Sequence, residues 1–372
     1  ERLIGSPHYG ERWARHWLDL AHYADSDGYE KDLPRPWAFR YRNWVIDALN
    51  NDMPFDRFTT EQLAGDLLPN ATTEQLVATG FLRQTLTNRE AGVDRDEARF
   101  EQLINRVNTV STVWLGLTMG CSQCHNHKYD PISQKDYYSM FAFFEQAEEQ
   151  EIDAPLAGEV GPYLAALPNY DSKRTALLAE YEVPALMPVW EGHMRTAITE
   201  PGKVPEWDFA LTSMKAMFDH AQRVLMTPLE KRTPRDQNRL VDYFVQRNFT
   251  VVGMDKAKME RLKELRKKVD ELDKSLPQLT QAYVLASDPN PAQSAIHIRG
   301  DWNQKGVPVE AATPEVLPAL KVTGKPNRLH LAQWLTAPGN PLTARVFVNR
   351  AWQEFFGRGI VKTAEDFGTT GE

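Results

Sequence analysis

Both cysteines of this 372-residue chain fall within five residues, Cys121-Ser122-Gln123-Cys124-His125. Two thiols so close cannot staple distant segments, so a disulfide framework is excluded and buried apolar surface must carry the fold. At 42.5 kDa there is length for two or three packed units. Hydrophobic residues at 42% and charged ones at 25% are ordinary globular usage, and no apolar run approaches the roughly 18 residues of a membrane-spanning helix. The net charge of −8 argues against nucleic acid as a partner.

The patterning before the cysteines is helical. Trp13, Trp17 and Leu20 recur at i, i+4, i+7 and predict a helix over 11–24 with that face buried; Asp25-Ser26-Asp27-Gly28 ends it. Further helices are expected around Trp44, Ile46 and Leu49, over 56–67, and over 73–82 with Thr72 or Thr73 as cap. Leu103, Val107, Val110, Trp114 and Leu117 mark another over 97–119 that runs straight into the cysteines, and Tyr137, Met140, Phe141 and Phe144 mark one over 133–146.

The acidic run 145–151 and the Pro and Gly residues after it suggest a domain edge. The expected division is a helical domain at 1–150, a mostly helical connecting region at 151–285, and a piece at 286–372 holding a small β unit and the start of a further helical domain. Within the middle region, Met259, Leu262, Leu265, Val269, Leu272 and Leu276 predict a long helix over 256–276, one arm of an antiparallel amphipathic pair. Alternation appears only near residues 283–300, in Tyr283-Val284-Leu285-Ala286 and Ala295-Ile296-His297-Ile298-Arg299. Helices follow around Leu329, Leu331, Trp334 and Leu335 and over 341–356. The fold class is thus mainly α and multi-unit, with a small β element.

The arrangement C-x-x-C-H would arise by chance about once in eight thousand chains of this composition, and it is the signature of c-type haem attachment. Thiols at this spacing can add to the two vinyl groups of a haem, and the adjacent imidazole then lies under the iron as proximal ligand. Other uses of the pair are less well supported. A thioredoxin-like dithiol needs a preceding β-strand, and here a helical stripe precedes it. A zinc site built from Cys121, Cys124, His125 and His127 lacks the usual second ligand pair. Structural thiols brought together by chance are the remaining option.

The sixth iron position separates electron transfer from chemistry on a small molecule. His127 and Met119 are too near His125 in sequence to reach the opposite face. His8, His16, His22 and Met140 remain, and His16, between Trp13 and Leu20, is the preferred distal ligand. His127 is a candidate to donate to a propionate or shuttle a proton.

Several stretches carry a resemblance. Ser6 to Asp19 (SPHYGERWARHWLD), Tyr23 to Gly28 (YADSDG), Gln62 to Asp66 (QLAGD) and Gly120 to Ile132 (GCSQCHNHKYDPI) resemble the cytochrome-like domain of unknown function abundant in planctomycetes. Asn340 to Arg350 (NPLTARVFVNR), with Phe356 to Gly359 (FGRG) and Asp366 to Gly368 (DFG), is similar to the partner domain that follows it in those proteins. The resemblance covers about half the chain. It implies an internal fragment of an exported, periplasmic or extracytoplasmic haem protein, with a signal peptide and often another haem domain upstream. Its partner would be a redox protein or that upstream domain. It implies no specific biochemical activity.

Weaker features remain. Asp25 and Asp27 invite a cation, but as positions 3 and 5 of an EF-hand loop they put Tyr23 at position 1 and Pro34 at position 12, so that motif fails and only an irregular cation site is left, against a helix-ending turn. Arg345, Asn349 and Arg350 share one side of the last helix and could bind an anion or pair with acids of the first domain.

The function expected is one-electron transfer through a single covalent haem held by Cys121 and Cys124 with His125 on the iron. The alternatives are a haem oxidoreductase or peroxidase-like enzyme with an open distal face, and a zinc-holding or metal-free interaction module of the cell surface.

Overall fold

The computed structural model describes residues 1–88, 90, 92–215, 221–248, 256–288 and 291–372. These form two compact units, 1–154 together with 281–372, and 155–280. The first opens with helices α1 (His8–Leu20), α2 (Phe39–Asn50), α3 (Phe55–Ala64), α4 (Thr73–Ala78), α5 (Arg95–Val110) and α6 (Gln134–Glu145), then strand β1 (Ala147–Asp153). The second holds α7 (Val160–Glu180), α8 (Val183–Thr199), α9 (Pro205–Lys215), α10 (Ala221–Met226), α11 (Pro234–Tyr243) and α12 (Lys256–Asp273). The chain then rejoins the first unit through β2 (Gln281–Ser287), β3 (Ala295–His297), β4 (Lys305–Pro308), α13 (Arg328–Thr336) and α14 (Thr343–Phe356).

The mainly helical class with minor β elements is therefore found. The division differs from the expected one: the first edge falls at 154/155, and residues 286–372 pack with the first unit instead of standing apart. The reason is strand pairing. β1 and β2 align antiparallel from Ala147 opposite Ser287 to Asp153 opposite Gln281, which closes the loop that contains the second unit. The expected strand at 283–286 is thus β2, while its partner lies in the acidic run read only as a boundary. Glu149 of that strand is held by Arg83 and Arg106, so the charge of the run is paired where it enters the core.

Local signals explain several helix ends. Thr72 and Ser133 each form reciprocal capping boxes, with Gln75 and Asp136, which satisfies the free N–H groups at the starts of α4 and α6. The helix expected over 97–119 stops earlier. α5 passes into a π turn at Ser111–Leu115, and Gly116 ends it in the left-handed region at φ 60. A separate 3-10 turn, Met119–Gln123, then carries the first cysteine, so the cysteine stretch is not a continuation of α5.

The core of the first unit is aromatic. Trp17 meets Phe58 and Trp114 edge-on at ring separations of 4.9 and 5.4 Å, and Phe81 meets Trp114 at 4.9 Å. Gln62 stitches this layer: its Oε1 accepts from Trp17 Nε1 (2.7 Å) and Tyr41 Oη (2.8 Å), and its Nε2 donates to the Phe58 carbonyl (3.0 Å). Arg328 and Asp66, with side chains 1% and 4% exposed, tie α13 to the turn after α3.

In the second unit, α7 and α12 form the expected long antiparallel pair. Tyr170 donates to Asp273, and Arg261 to the Glu180 carbonyl, so the two helices run in opposite directions. Leu262, Leu265 and Val269 are the buried stripe of α12.

Candidate functional site

Residues 119–134 are positioned by α5, α6 and the β3–β4 hairpin. The 3-10 turn is anchored inward by Met119 and Ser122, both buried. Ser111 Oγ donates to Met119 Sδ (3.1 Å), and Ser122 Oγ to the Ile132 carbonyl (3.4 Å). The three-residue period of the 3-10 turn leaves Cys121 and Cys124 outward, both exposed and both free thiols. His125 is exposed beside them.

The Gln123 carbonyl between the thiols accepts from Gln134 Nε2 (2.9 Å) and Tyr138 Oη (3.0 Å), both on α6. Gln134 also donates to the His297 carbonyl (3.2 Å), and the His297 ring stacks on Tyr138 at 5.4 Å. The segment bearing the cysteines is thus bolted to a long helix on one side and to the hairpin on the other. This involvement of residues near 297 was not foreseen; the only signal was that the alternating segment carries a histidine.

The imidazole of His125 has a defined orientation. Nδ1 lies 2.6 Å from the Asn126 carbonyl, an acceptor only, so Nδ1 carries a proton and the lone pair of the neutral imidazole falls on Nε2. The Asn126 side chain in turn accepts from the Gln134 N–H (2.9 Å). A histidine whose one nitrogen donates to a backbone carbonyl while the other stays basic is the usual state of a metal-ligating imidazole. The residues therefore fit a haem on its proximal side: two accessible thiols three residues apart and an exposed, tautomerically fixed imidazole next to them.

The other candidates are placed elsewhere. His16 is off the buried face of α1, which is Gly10, Ala14, Trp17 and Leu18 rather than the Trp13 and Leu20 side. Its Nε2 lies 2.7 Å from Arg12 and its Nδ1 3.4 Å from Glu354, so both nitrogens are engaged at the α1–α14 surface, apart from the cysteines. His8 is exposed against Glu11 (2.7 Å), His22 is an exposed left-handed residue at φ 59, and Met140 is enclosed in the core. His127 turns inward: its Nδ1 accepts from the Asp130 N–H (2.8 Å), and its side chain is 4% exposed. Asp130 is fixed in turn by the Thr369 N–H (2.6 Å) and hydroxyl (2.8 Å). His127 thus shapes the 127–130 loop and does not join Cys121, Cys124 and His125. Among the described residues no group of three or more His, Cys, Asp and Glu is placed to hold a metal ion, so the four-ligand zinc cage is not formed.

The acidic turn after α1 separates its two carboxylates. Asp27 is buried on Arg35 (2.9 Å), whereas Asp25 is exposed and bound by the Tyr23 hydroxyl. The two carboxylates serve different partners, and Arg35 already supplies the cation to Asp27. Burial, and after it the bond to Asp25, raise the Tyr23 phenol well above its ordinary range. Arg350 donates to the Thr112 (2.7 Å) and Val113 carbonyls at the π turn, and burial lowers it to about 10. Asn349 is buried against Val361, with Nδ2 donating to its carbonyl (2.9 Å) and Oδ1 accepting its N–H (2.8 Å).

A mainly helical protein that displays a C-x-x-C-H turn on its surface is the class defined by these observations. Residues 1–149 match PSCyt2, a protein family of unknown function (DUF1549), and residues 327–372 match PSD1, a second family of unknown function (DUF1553). Both stretches are thus similar to domains associated with the planctomycete cytochrome-like families. No curated protein and no solved structure matches it. Both matched stretches belong to the first unit, and among the described residues no helix is long and apolar enough to cross a membrane.

Proposed function

We propose that this chain is part of an exported c-type haem protein that transfers single electrons. The observation that carries the reading is the state of His125, with Nδ1 held by the Asn126 carbonyl and Nε2 free beside two accessible thiols. The match of residues 1–149 to a cytochrome-associated family supports it, as does the extracytoplasmic setting implied by the sequence resemblance. Cys121 and Cys124 would hold the haem by adding S–H across its two vinyl groups. Each addition forms one S–C bond, passes the thiol proton to the neighbouring vinyl carbon, and transfers no net electrons. His125 Nε2 would hold the iron, and Gln134 and Tyr138 keep the turn in place through the Gln123 carbonyl. The bound group supplies one-electron chemistry.

A second reading, a haem oxidoreductase with an open distal position, is favoured by the engagement of His16 with Arg12 and Glu354. The test is a pyridine haemochrome spectrum of protein exported in the presence of haem-attachment machinery. Covalent haem c supports the proposal, and properly exported colourless protein refutes it. A low-spin ferric spectrum then favours electron transfer and a high-spin one the enzyme.

A further inference from the structure

The turn Ile298–Gly300 lies outside both matched stretches, yet it reaches the thiols from the far end of the chain. Gly300 stands so close that a Cβ built on it would lie 2.8 Å from Cys124 Sγ and 3.2 Å from Gln123 Cγ. Only a glycine permits this approach. Gly300 has φ 74, and Arg299 before it has φ 56, a conformation that costs a non-glycine residue energy and persists only where its surroundings impose it. The turn is fixed in place by the His297 carbonyl on Gln134, by the Asp301 N–H on the Ile298 carbonyl (3.2 Å), and by the pairing of β3 with β4. The strained path therefore delivers the backbone to one sulfur of the pair.

We infer that the Ile298–Gly300 turn is a positioning element of the thiol site, which shields Cys124 on one side and makes Cys121 the first of the two thiols to react. Haem attachment through two thioethers then has a built-in order: the less hindered Cys121 forms the first link, and Cys124 closes the second against the turn. This deepens the haem reading and rests on it. The physical effect itself, unequal thiol accessibility, belongs to the haem-free chain and is measured there.

The test uses the whole chain purified without haem. Limiting iodoacetamide and peptide mapping give the labelling rates of Cys121 and Cys124 in the folded chain and again in urea. Cys121 is expected to lead by about threefold or more when folded, and the preference to vanish in urea. In Gly300→Ala the new methyl must displace Cys124 Sγ, so the Cys124 rate should change by at least about threefold while Cys121 stays within about twofold. Arg299→Gly, which removes the strain and keeps the approach, should retain the parental ratio. Equal rates in the folded chain, or a ratio that survives urea, overturn the inference, as does folded Gly300→Ala with the parental ratio. Should Gly300→Ala fail to fold, the comparison of folded with unfolded parent decides alone. Absence of covalent haem after export would defeat the haem reading and leave the measured thiol order standing, so the two failures are distinguishable.

Discussion

Replacing Arg328 with Met should unfold the first unit far more easily than an ordinary surface change. The guanidinium is 1% exposed and makes four bonds: Nη1 to Asp66 Oδ1 (3.0 Å) and to the Leu63 carbonyl (2.8 Å), Nη2 to Asp66 Oδ2 (2.7 Å) and to Ser287 Oγ (3.2 Å). Asp66 also accepts from the Ser287 N–H (2.8 Å). One pair thus fastens α13 and β2 to the turn after α3, across 262 residues of sequence. The bidentate geometry offsets the desolvation of both ions, whereas Met at 328 would leave the Asp66 carboxylate buried with only Ser287 to serve it. Removing one partner of such a pair costs about 3–5 kcal/mol. For a unit of this size that corresponds to a fall in melting temperature of roughly 6–20 °C. Urea titration followed by tryptophan fluorescence reads the change, and the double variant Arg328→Met with Asp66→Asn should recover at least about half of it, because the orphaned charge is gone. A loss below about 1 kcal/mol in the single variant, or a double variant no more stable than the single, would refute the reasoning.

Further outcomes follow from the same geometry. Gly116→Ala places a methyl 2.7 Å from the Phe367 ring and 2.9 Å from Val346 at a left-handed position, so a loss of about 1–3 kcal/mol is expected in urea titration. Tyr138→Phe removes the bond to the Gln123 carbonyl and should cost about 0.5–1.5 kcal/mol, with faster amide exchange at 121–125. His297 is held below its ordinary 6.5 by burial, with Lys305 adding to the effect and the Asp301 carbonyl and Glu145 opposing it. The unfolded chain therefore takes up a proton first as pH falls: stability should be full above about pH 6.5 and decline below it, and His297→Gln should flatten that part of the urea-midpoint profile. With haem attached, His125→Ala should keep the thioether links and lose the imidazole-ligated ferric spectrum, and an unchanged spectrum would remove His125 from the iron.

The helical part of the fold was legible because its signals are local. Thr72 caps α4 and the stripe Leu262, Leu265, Val269 faces inward in α12, as spacing implied. Gly116 was missed as a helix end because the apolar stripe of α5 continues past it; the left-handed turn lets Leu117 stay buried without helix. β1 was missed because Glu148, Glu149 and Glu151 oppose strand propensity, and what offsets this is distant in sequence: Arg83 and Arg106 on Glu149, and the pairing with β2. In the site, the two thiols and His125 were readable from spacing alone. The preferred role for His16 was not sustained, since a shift of the α1 contact face carries that imidazole from the core to Glu354. Gly300 and His297 could not have been found from spacing, because their contact with residues 123–138 arises only when the chain returns after the second unit.

The central claim is that Cys121 and Cys124 are the attachment points of one haem. Intact-mass analysis of the chain after export with attachment machinery, followed by peptide mapping, tests it directly. The account predicts a gain of a single haem located on the 121–124 peptide, reduced to one link in Cys121→Ala or Cys124→Ala and lost in the double variant; an unmodified mass in correctly exported, folded protein would contradict it.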